Sequence, residues 1–349
     1  MAPFKSTQSF SVGTFLRTFR NRDAVGPAAL NSPVRSDRTP FEATGGNISA
    51  AIPGDGYAYH LFSSSGSFVI PGSKPASTRF EVLLIAGGAS GGSNDTSNGA
   101  GGGGAGGVVH HSQLDTSGTL TITIGAGGVH PNDQNTAGVA GSDSTIVSPD
   151  GPWTLTAKGG GGGGRFGIAG SPGGSGGGGG GYGGSYSNVH ASSTQATQNP
   201  SFVPQTGFNQ YGNDGGAPSD SNPGNAGGGG GAGGVGGSSP LAEGAPGASA
   251  GGVGRAFPGF PGILSGFSPM PTDWKTVSGP TGIFAGGGGG ENPYSSASTS
   301  AGGPGGGGGF PAPYGATAVA NTGSGGAAAG SGPGTGDGAS GICMIRYQL

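Results

Sequence analysis

Four times along this chain a strand-like apolar segment runs straight into glycine. Glu81-Val-Leu-Leu-Ile-Ala-Gly-Gly88 leads to Gly101-Gly-Gly-Gly-Ala-Gly-Gly107, and Thr119-Leu-Thr-Ile-Thr-Ile-Gly-Ala-Gly-Gly128 repeats the pattern. Trp153-Thr-Leu-Thr-Ala-Lys-Gly159 opens the glycine run 159–164, and Ile283-Phe-Ala-Gly286 opens the run 286–290. Further runs at 176–181, 227–231 and 305–309 alternate with loops rich in Ser, Pro, Asn and aromatics. Glycine loses more freedom on ordering than any other residue, so such tracts order only if other interactions offset that loss. A threefold, polyproline-II-like conformation leaves each N–H and C=O pointing outward and unpaired within its own strand. Laid side by side with no side chains between them, such strands hydrogen-bond to one another, supplemented by Cα–H···O contacts. At about 3.1 Å per residue a six-glycine run spans roughly 19 Å, a sensible slab thickness for a small domain. Side chains are excluded from such a slab and displayed at its rims.

Glycine (90) and proline (27) make up about a third of the 349 residues, a level usually read as low complexity or disorder. Disorder normally also brings high net charge. Here only 8% of residues are charged and the formal net charge is −3, so self-repulsion does not hold the chain open. Apolar side chains supply 31% of the chain, concentrated in residues 57–160 and at the C-terminus. That suffices for one small core but not for one spanning the whole length. The lone Cys343 gives no intramolecular disulfide and no cysteine-based metal site, and it suits a small apolar position in the last strand. No apolar run follows a basic start, and no stretch approaches the ~20 apolar residues of a membrane span. The expectation is synthesis in a cytosol without membrane insertion.

Residues 1–45 stand apart. They carry Lys5, Arg17, Arg20, Arg22, Arg35 and Arg38 against Asp23, Asp37 and Glu42, while the remainder is acidic. Pro27, Pro33 and Pro40 prevent a long regular element, and Phe4, Phe10, Phe15, Leu16 and Phe19 show no helical or strand period. This reads as an extended arm that orders on a partner, or as a flap on its own domain. Its basic residues are spread out and no recognition helix follows, so nucleic acid is not the expected partner. Gly45-Gly46 read as a hinge. Beyond them, Tyr57–Phe62, a Ser63-Ser-Ser-Gly66 turn and Ser67–Ile70 read as a hairpin. Arg79–Ile85 reads as a central strand buried on both faces, and Leu120–Ile124 as a strand with one wet face. Ser144–Val147 and Trp153–Thr156 are joined by the turn Ser148-Pro-Asp-Gly-Pro152. The closing Gly341-Ile-Cys-Met-Ile-Arg-Tyr347 is strand-like, so both ends of residues 57–349 are expected in one sheet.

Catalysis has no candidate in the sequence. Gly125-Ala-Gly-Gly-Val-His130 lacks the third glycine of a dinucleotide fingerprint and precedes no helix. Neither Lys74, Lys158 nor Lys275 follows glycine, so there is no Walker A motif. His110-His111 lie on opposite faces of a strand and have no ligand cluster around them. No G-x-S-x-G elbow appears. Neither a cofactor nor a metal is expected. What remains are aromatics on Ser/Gly/Asn loops, above all Tyr182, Tyr186, Phe208, Tyr211, Trp274, Tyr294 and Tyr314. Such loops suit a recognition surface, and the same residues equally suit capping of slab edges or packing between subunits.

The segments Tyr57–Pro71, Glu81–Gly88, Gly101–Val109, Leu120–Gly128 and Gly341–Tyr347 together resemble the glycine-rich domain of tail-fibre and other virion proteins of tailed phages, notably marine ones infecting cyanobacteria. The likeness covers residues 46–349, leaves 1–45 outside, and lacks the shaft repeats of a typical fibre. It implies a virion structural protein whose glycine-rich part is similar to the polyglycine-II sandwich of certain phage adhesins, where loops at the slab tip contact the bacterial receptor. The expected fold is mainly β with little or no α-helix. Its parts are an anchoring arm (1–45), an antiparallel sheet or sandwich (46–160, completed by 341–349) and packed polyglycine-II helices with displayed loops (161–340). The expected function is a short tail fibre or fibre-tip adhesin, not an enzyme. The arm would attach to another virion protein through Phe10, Phe15, Phe19, Arg17, Arg20 and Arg22, and the loop aromatics would meet a host surface glycan or outer-membrane protein. A homo-oligomer is expected, and the fibre analogy alone suggests a trimer. The alternative is a capsid or tail decoration or adaptor protein without receptor contact.

Overall fold

The computed structural model describes residues 41–51, 56–94, 98–130, 133–148, 153–181, 206–219, 224–239, 249–262, 270–291, 300–309, 315–329 and 336–349. Two sheets form one end of the body. A six-stranded sheet runs in the order β1 (Ile48–Ala51), β2 (Tyr57–Phe62), β12 (Ile342–Gln348), β4 (Phe80–Ile85), β5 (Val108–Leu114) and β9 (Phe208–Tyr211). A four-stranded sheet has the order β3 (Gly66–Ile70), β6 (Gly118–Thr123), β7 (Ser144–Ser148) and β8 (Trp153–Ala157). All these pairings are antiparallel. The closing strand β12 lies between β2 and β4, so the two ends of the chain do share one sheet.

The period-two alternation of β4 and β12 serves two cores at once. Val82, Leu84, Cys343, Ile345 and Tyr347 face the four-stranded sheet and pack with Phe62, Phe68, Leu120, Ile122, Ile146 and Leu155. Leu83, Ile85, Ile342 and Met344 face the other way, onto Phe257, Phe260, Met270, Trp274 and Phe284. On β6 the alternation has one wet face, with Leu120 and Ile122 buried and Thr119, Thr121 and Thr123 exposed. A short helix α1 (Thr272–Ser278) and the two-stranded pair β10 (Arg255–Ala256) with β11 (Ile283–Phe284) cover the second core.

Two local expectations change. β2 and β3 are not a hairpin, because they belong to different sheets. Phe62 and Phe68 both point into the core between the sheets, with ring centroids 6.5 Å apart. Asn47 holds the corner, its Oδ1 accepting from the N–H groups of Ser63 (2.8 Å) and Ser64 (3.0 Å). Gly45 and Gly46, both at positive φ, carry the chain between a bridge to β3 at Thr44 and pairing with β2 from Ile48. The body begins at Phe41, not at residue 46, and Phe41–Leu349 is one compact unit without a division at residue 160.

The strands continue directly into the glycine runs, whose hydrogen bonds repeat every third residue. From Ala86, Ala89 and Gly92 the N–H groups donate to Gly107, Gly104 and Gly101. From Gly87, Ser90 and Ser93 they donate to Ser142, Val139 and Thr136, and from Gly88 and Gly91 to Ala339 and Gly336. These bonds measure 2.8–3.1 Å. One strand therefore presents three faces to three neighbours, as a helix of three residues per turn requires. The run 99–107 is ringed by six others. It donates to 158–164, 224–230 and 323–326, and accepts from 86–92, 175–181 and 288–291. The ring closes on itself through Gly160 to Gly87, Gly161 to Ser175, Gly227 to Gly179, Gly229 to Gly288, Gly325 to Gly286 and Gly326 to Ala89. This is hexagonal packing of polyglycine-II-like helices, with more than one layer around a central run.

A Cβ added at Gly102, Gly161 or Gly288 would stand well under 3.0 Å from the backbone of a neighbouring run. Overpacking in a well-packed core costs about 1–3 kcal/mol, and here the obstacle is backbone that no rotamer change can clear. Gly161→Val and Gly288→Val are each expected to lower the thermal midpoint and to expose the glycine region to protease. Unchanged melting and protease resistance in both variants would contradict the packed lattice.

Candidate functional site

Where a run ends, the lattice loses a carbonyl and leaves an N–H without a partner. Polar side chains stand in for the missing acceptor, as caps do at α-helix termini. Gly106 and Gly103 donate to Gly323 and Gly326, but the next N–H in that series, Ala100, donates to Glu291 Oε2 at 3.0 Å. Gly224 donates to Asn98 Oδ1 (3.0 Å), His130 to Asp337 Oδ1 (2.7 Å), Val139 to Ser90 Oγ (2.8 Å) and Gly159 to Asp143 Oδ1 (2.8 Å). Residues 98–100, 181, 219, 224–226 and 291 are drawn together at the end of the bundle remote from the sheets. The segments 182–205, 220–223 and 292–299 depart from these residues. Burial in this uncharged setting pushes the Glu291 carboxyl up to about 8.

Outer runs carry side chains on one face in three. Ala126 and Val129, Ala250 and Val253, and Ala301 and Pro304 are exposed pairs three residues apart, separated in each case by two glycines.

The sequence-derived candidates divide into two groups. Tyr182, Tyr186, Tyr294 and Tyr314 lie outside the described residues, as do Phe10, Phe15, Arg17, Phe19, Arg20 and Arg22. Trp274 is not a displayed loop residue. It sits on α1, fully buried, with its indole N–H donating to the Asn321 carbonyl at 2.7 Å and its ring 5.6 Å from Phe284. Phe208 and Tyr211 belong to edge strand β9. Phe208 is half-buried against the inter-sheet core and 6.1 Å from His111. Tyr211 packs on Phe257 at 5.8 Å and lies beneath Arg255, whose guanidinium carbon is 3.8 Å from the ring centroid. The short apolar spacing around these aromatics, Phe257 to Phe260 and Met270 to Trp274, is the spacing of a core-covering segment.

A second polar group lies on the face of the six-stranded sheet that the segment 255–262 partly covers. Glu81 Oε2 accepts from Arg346 Nε (2.7 Å) and Nη2 (2.6 Å), and Glu81 Oε1 lies 2.9 Å from His110 Nε2. The Arg346 guanidinium also lies over the Tyr57 ring at 4.3 Å. Burial alone would raise the Glu81 carboxyl, but the contacts from His110 and Arg346 hold it below its ordinary value. A Cβ at Gly259 would meet Arg346 and Glu81, so the covering segment rests its backbone directly on this ion pair. Sequence reasoning passed over these residues, although a single charge in each of two otherwise apolar strands was the signal. The row fastens the covering segment to the sheet. Among the described residues no group of three or more His, Cys, Asp and Glu side chains is placed to hold a metal ion.

Glu81→Gln leaves the part-buried Arg346 cation without its counter-charge, and is expected to cost about 1–3 kcal/mol in urea unfolding at pH 7. Because Glu81 is held below its unfolded value, its contribution is present above about pH 4.5 and is lost as the pH falls through the folded value. The gap between wild type and variant therefore closes in acid. A gap independent of pH would contradict the assignment.

The family model described as a glycine-rich domain matches residues 63–348. No curated protein matches the chain.

Proposed function

The chain belongs to the glycine-rich domain family, and from that premise we propose that it is a virion structural protein of a tailed phage, a short tail fibre or fibre-tip adhesin. The observation that carries this reading is polarity. Phe41, where the described body begins, packs on Phe80 and Tyr347 with ring centroids 6.2 and 5.0 Å away, at the end of the sheets farthest from the glycine runs. Gly181 and Glu291, from which the segments bearing Tyr182, Tyr186 and Tyr294 depart in sequence, lie at the opposite end of the described body. An N-terminal arm that joins the body at Phe41, and connecting segments that leave it at Gly181 and Glu291, suit a protein that joins a particle to a surface.

In this reading the arm that precedes Phe41 engages another virion protein, and the loop segments engage a host surface glycan or outer-membrane protein through aromatic stacking and hydrogen bonding. Those loop segments, 95–97, 182–205, 220–223, 240–248, 292–299, 310–314 and 330–335, contain neither lysine nor arginine. Neutral polar and aromatic chemistry therefore dominates over attraction to anionic groups. The protein acts without catalysis, as a homo-oligomer, with a trimer suggested by the fibre analogy alone.

The test is saturable binding of the purified, labelled full-length protein to host cells, with competition against phage adsorption. The combined substitution Tyr182→Ala, Tyr186→Ala and Tyr294→Ala is expected to weaken binding by about tenfold or more without changing the melting temperature. A folded, oligomeric protein that binds no host cells, and whose incorporation into particles depends only on the arm, would establish a decoration or adaptor protein instead. Turnover of host polysaccharide would overturn both.

A further inference from the structure

The far end of the lattice holds a buried carboxyl group that has no counter-ion among the described residues. Glu291 is 7% exposed and occupies the last position of the run 285–291. Its backbone is fully engaged, its N–H donating to the Ala100 carbonyl at 2.9 Å and its own carbonyl accepting from Ala226 at 3.1 Å. Its side chain replaces the lattice carbonyl that Ala100 would otherwise meet. The runs packed around it, 99–107, 224–233, 249–254 and 323–329, contain no titratable side chain at all. The connecting segments outside the described residues bring Asp95, Asp220, His190 and Glu243 but no lysine or arginine. Nearby, among the described residues, the buried Asn225 side chain has neither its Oδ1 nor its Nδ2 hydrogen-bonded, and the Ser300 hydroxyl likewise has no partner. In the central run each N–H from Gly101 to Gly107 meets a backbone carbonyl, whereas this end holds polar side-chain atoms without a partner among the described residues. It is the part of the bundle where local opening should be easiest.

We propose that Glu291 is a proton-operated latch on the far end of the glycine lattice, closed while its carboxyl is neutral and opened when the carboxyl ionises. In the neutral form the group accepts the Ala100 N–H and is buried without an uncompensated charge; that N–H favours the ionised form, but burial outweighs it. Once ionised it is a buried charge without a cation, and the favourable response is withdrawal to water. Withdrawal removes the cap from Ala100 and loosens the terminal contacts of 98–100, 224–226 and 289–291. The sign follows from linkage. The folded carboxyl is raised from 4.5 to about 8, so the closed form binds more protons than the open form between those values. Closure weakens as the pH rises through that window and the latch is released above it.

The test uses the full-length protein and three variants of the same position. Carbonyl-labelled glutamate spectra should show the Glu291 δ-carbon titrating near pH 8, well above the remaining glutamates. Hydrogen exchange, corrected for its intrinsic pH dependence, should show protection at Ala100 and Ala226 falling by up to about tenfold per pH unit across the upper part of the window, while Gly103 and Gly288 stay protected. Glu291→Gln, which keeps the acceptor and removes the charge, should hold Ala100 protected from pH 5 to 9. Glu291→Ala, which removes the acceptor, should leave Ala100 weakly protected throughout that range, and Glu291→Asp should reproduce a pH-dependent profile. Protection that falls equally in wild type and Glu291→Gln, or a Glu291 carboxyl that titrates with the ordinary glutamates, would overturn the latch. Loss of host binding plays no part in these readouts, so the latch and the adhesin reading fail independently.

Discussion

Backbone hydrogen bonding between neighbouring glycine runs is the constraint on which the rest of this structure depends. An ordinary domain uses side chains to exclude water and backbone bonds to order each element. In its glycine runs this protein does both largely with backbone. At positions such as Gly102, Gly161 and Gly288 the contact between runs is so close that a methyl group cannot enter it, and successive N–H groups of a run find their acceptors on different neighbours around the three-residue turn. The entropy that glycine loses on ordering is offset because those donors and acceptors are satisfied in a region from which water is excluded. A single substitution therefore damages several runs together, since the occupied space belongs to the neighbour.

The two β-sheets have a definite part in this. A strand of polyglycine has no pattern to fix which neighbour it meets or in what register. Each run that leaves β4, β8, β9 or β11 is already placed by a strand whose side chains do specify position. Leu83 and Val82 have different partners and cannot be exchanged without turning a core inside out. The sheets thus set the order at the base of the bundle, and the lattice propagates it. The caps then fix it at the remote end, with Glu291, Asn98 and Asp337 each filling one place where a carbonyl is missing.

Much of the sandwich was legible because its strands carry ordinary period-two signals. The two-sided burial of Val82–Ile85, the wet face around Thr121 and the return of residues 342–347 into the same sheet all follow from alternation and apolar runs. The failures were specific. A turn of three serines and a glycine looked like a hairpin, yet whether two strands pair or face one another across a core is decided by where Phe62 and Phe68 can meet. Trp274 and Tyr211 looked displayed because glycine-rich surroundings suggested loops, whereas they cover a second core on the far side of the six-stranded sheet. The neighbours of each glycine run could not be read at all, since identical residues carry no pairing information. One signal was present and legible only afterwards: Ala126 with Val129, and Ala250 with Val253, mark the outward face of a threefold helix by their spacing.

That threefold repeat has a consequence at the level of the gene. Glycine tracts are encoded by repetitive codons, which gain and lose units during replication. Removing three codons from the middle of a run shortens it by one turn, about 9 Å, and returns every remaining residue to the same face. Removing one codon rotates everything beyond it by about 120° and aims an alanine or valine at a neighbouring backbone. A change in tract length therefore preserves the facing of the remaining residues only when it is a multiple of three, a counting rule set by the symmetry of a helix without side chains.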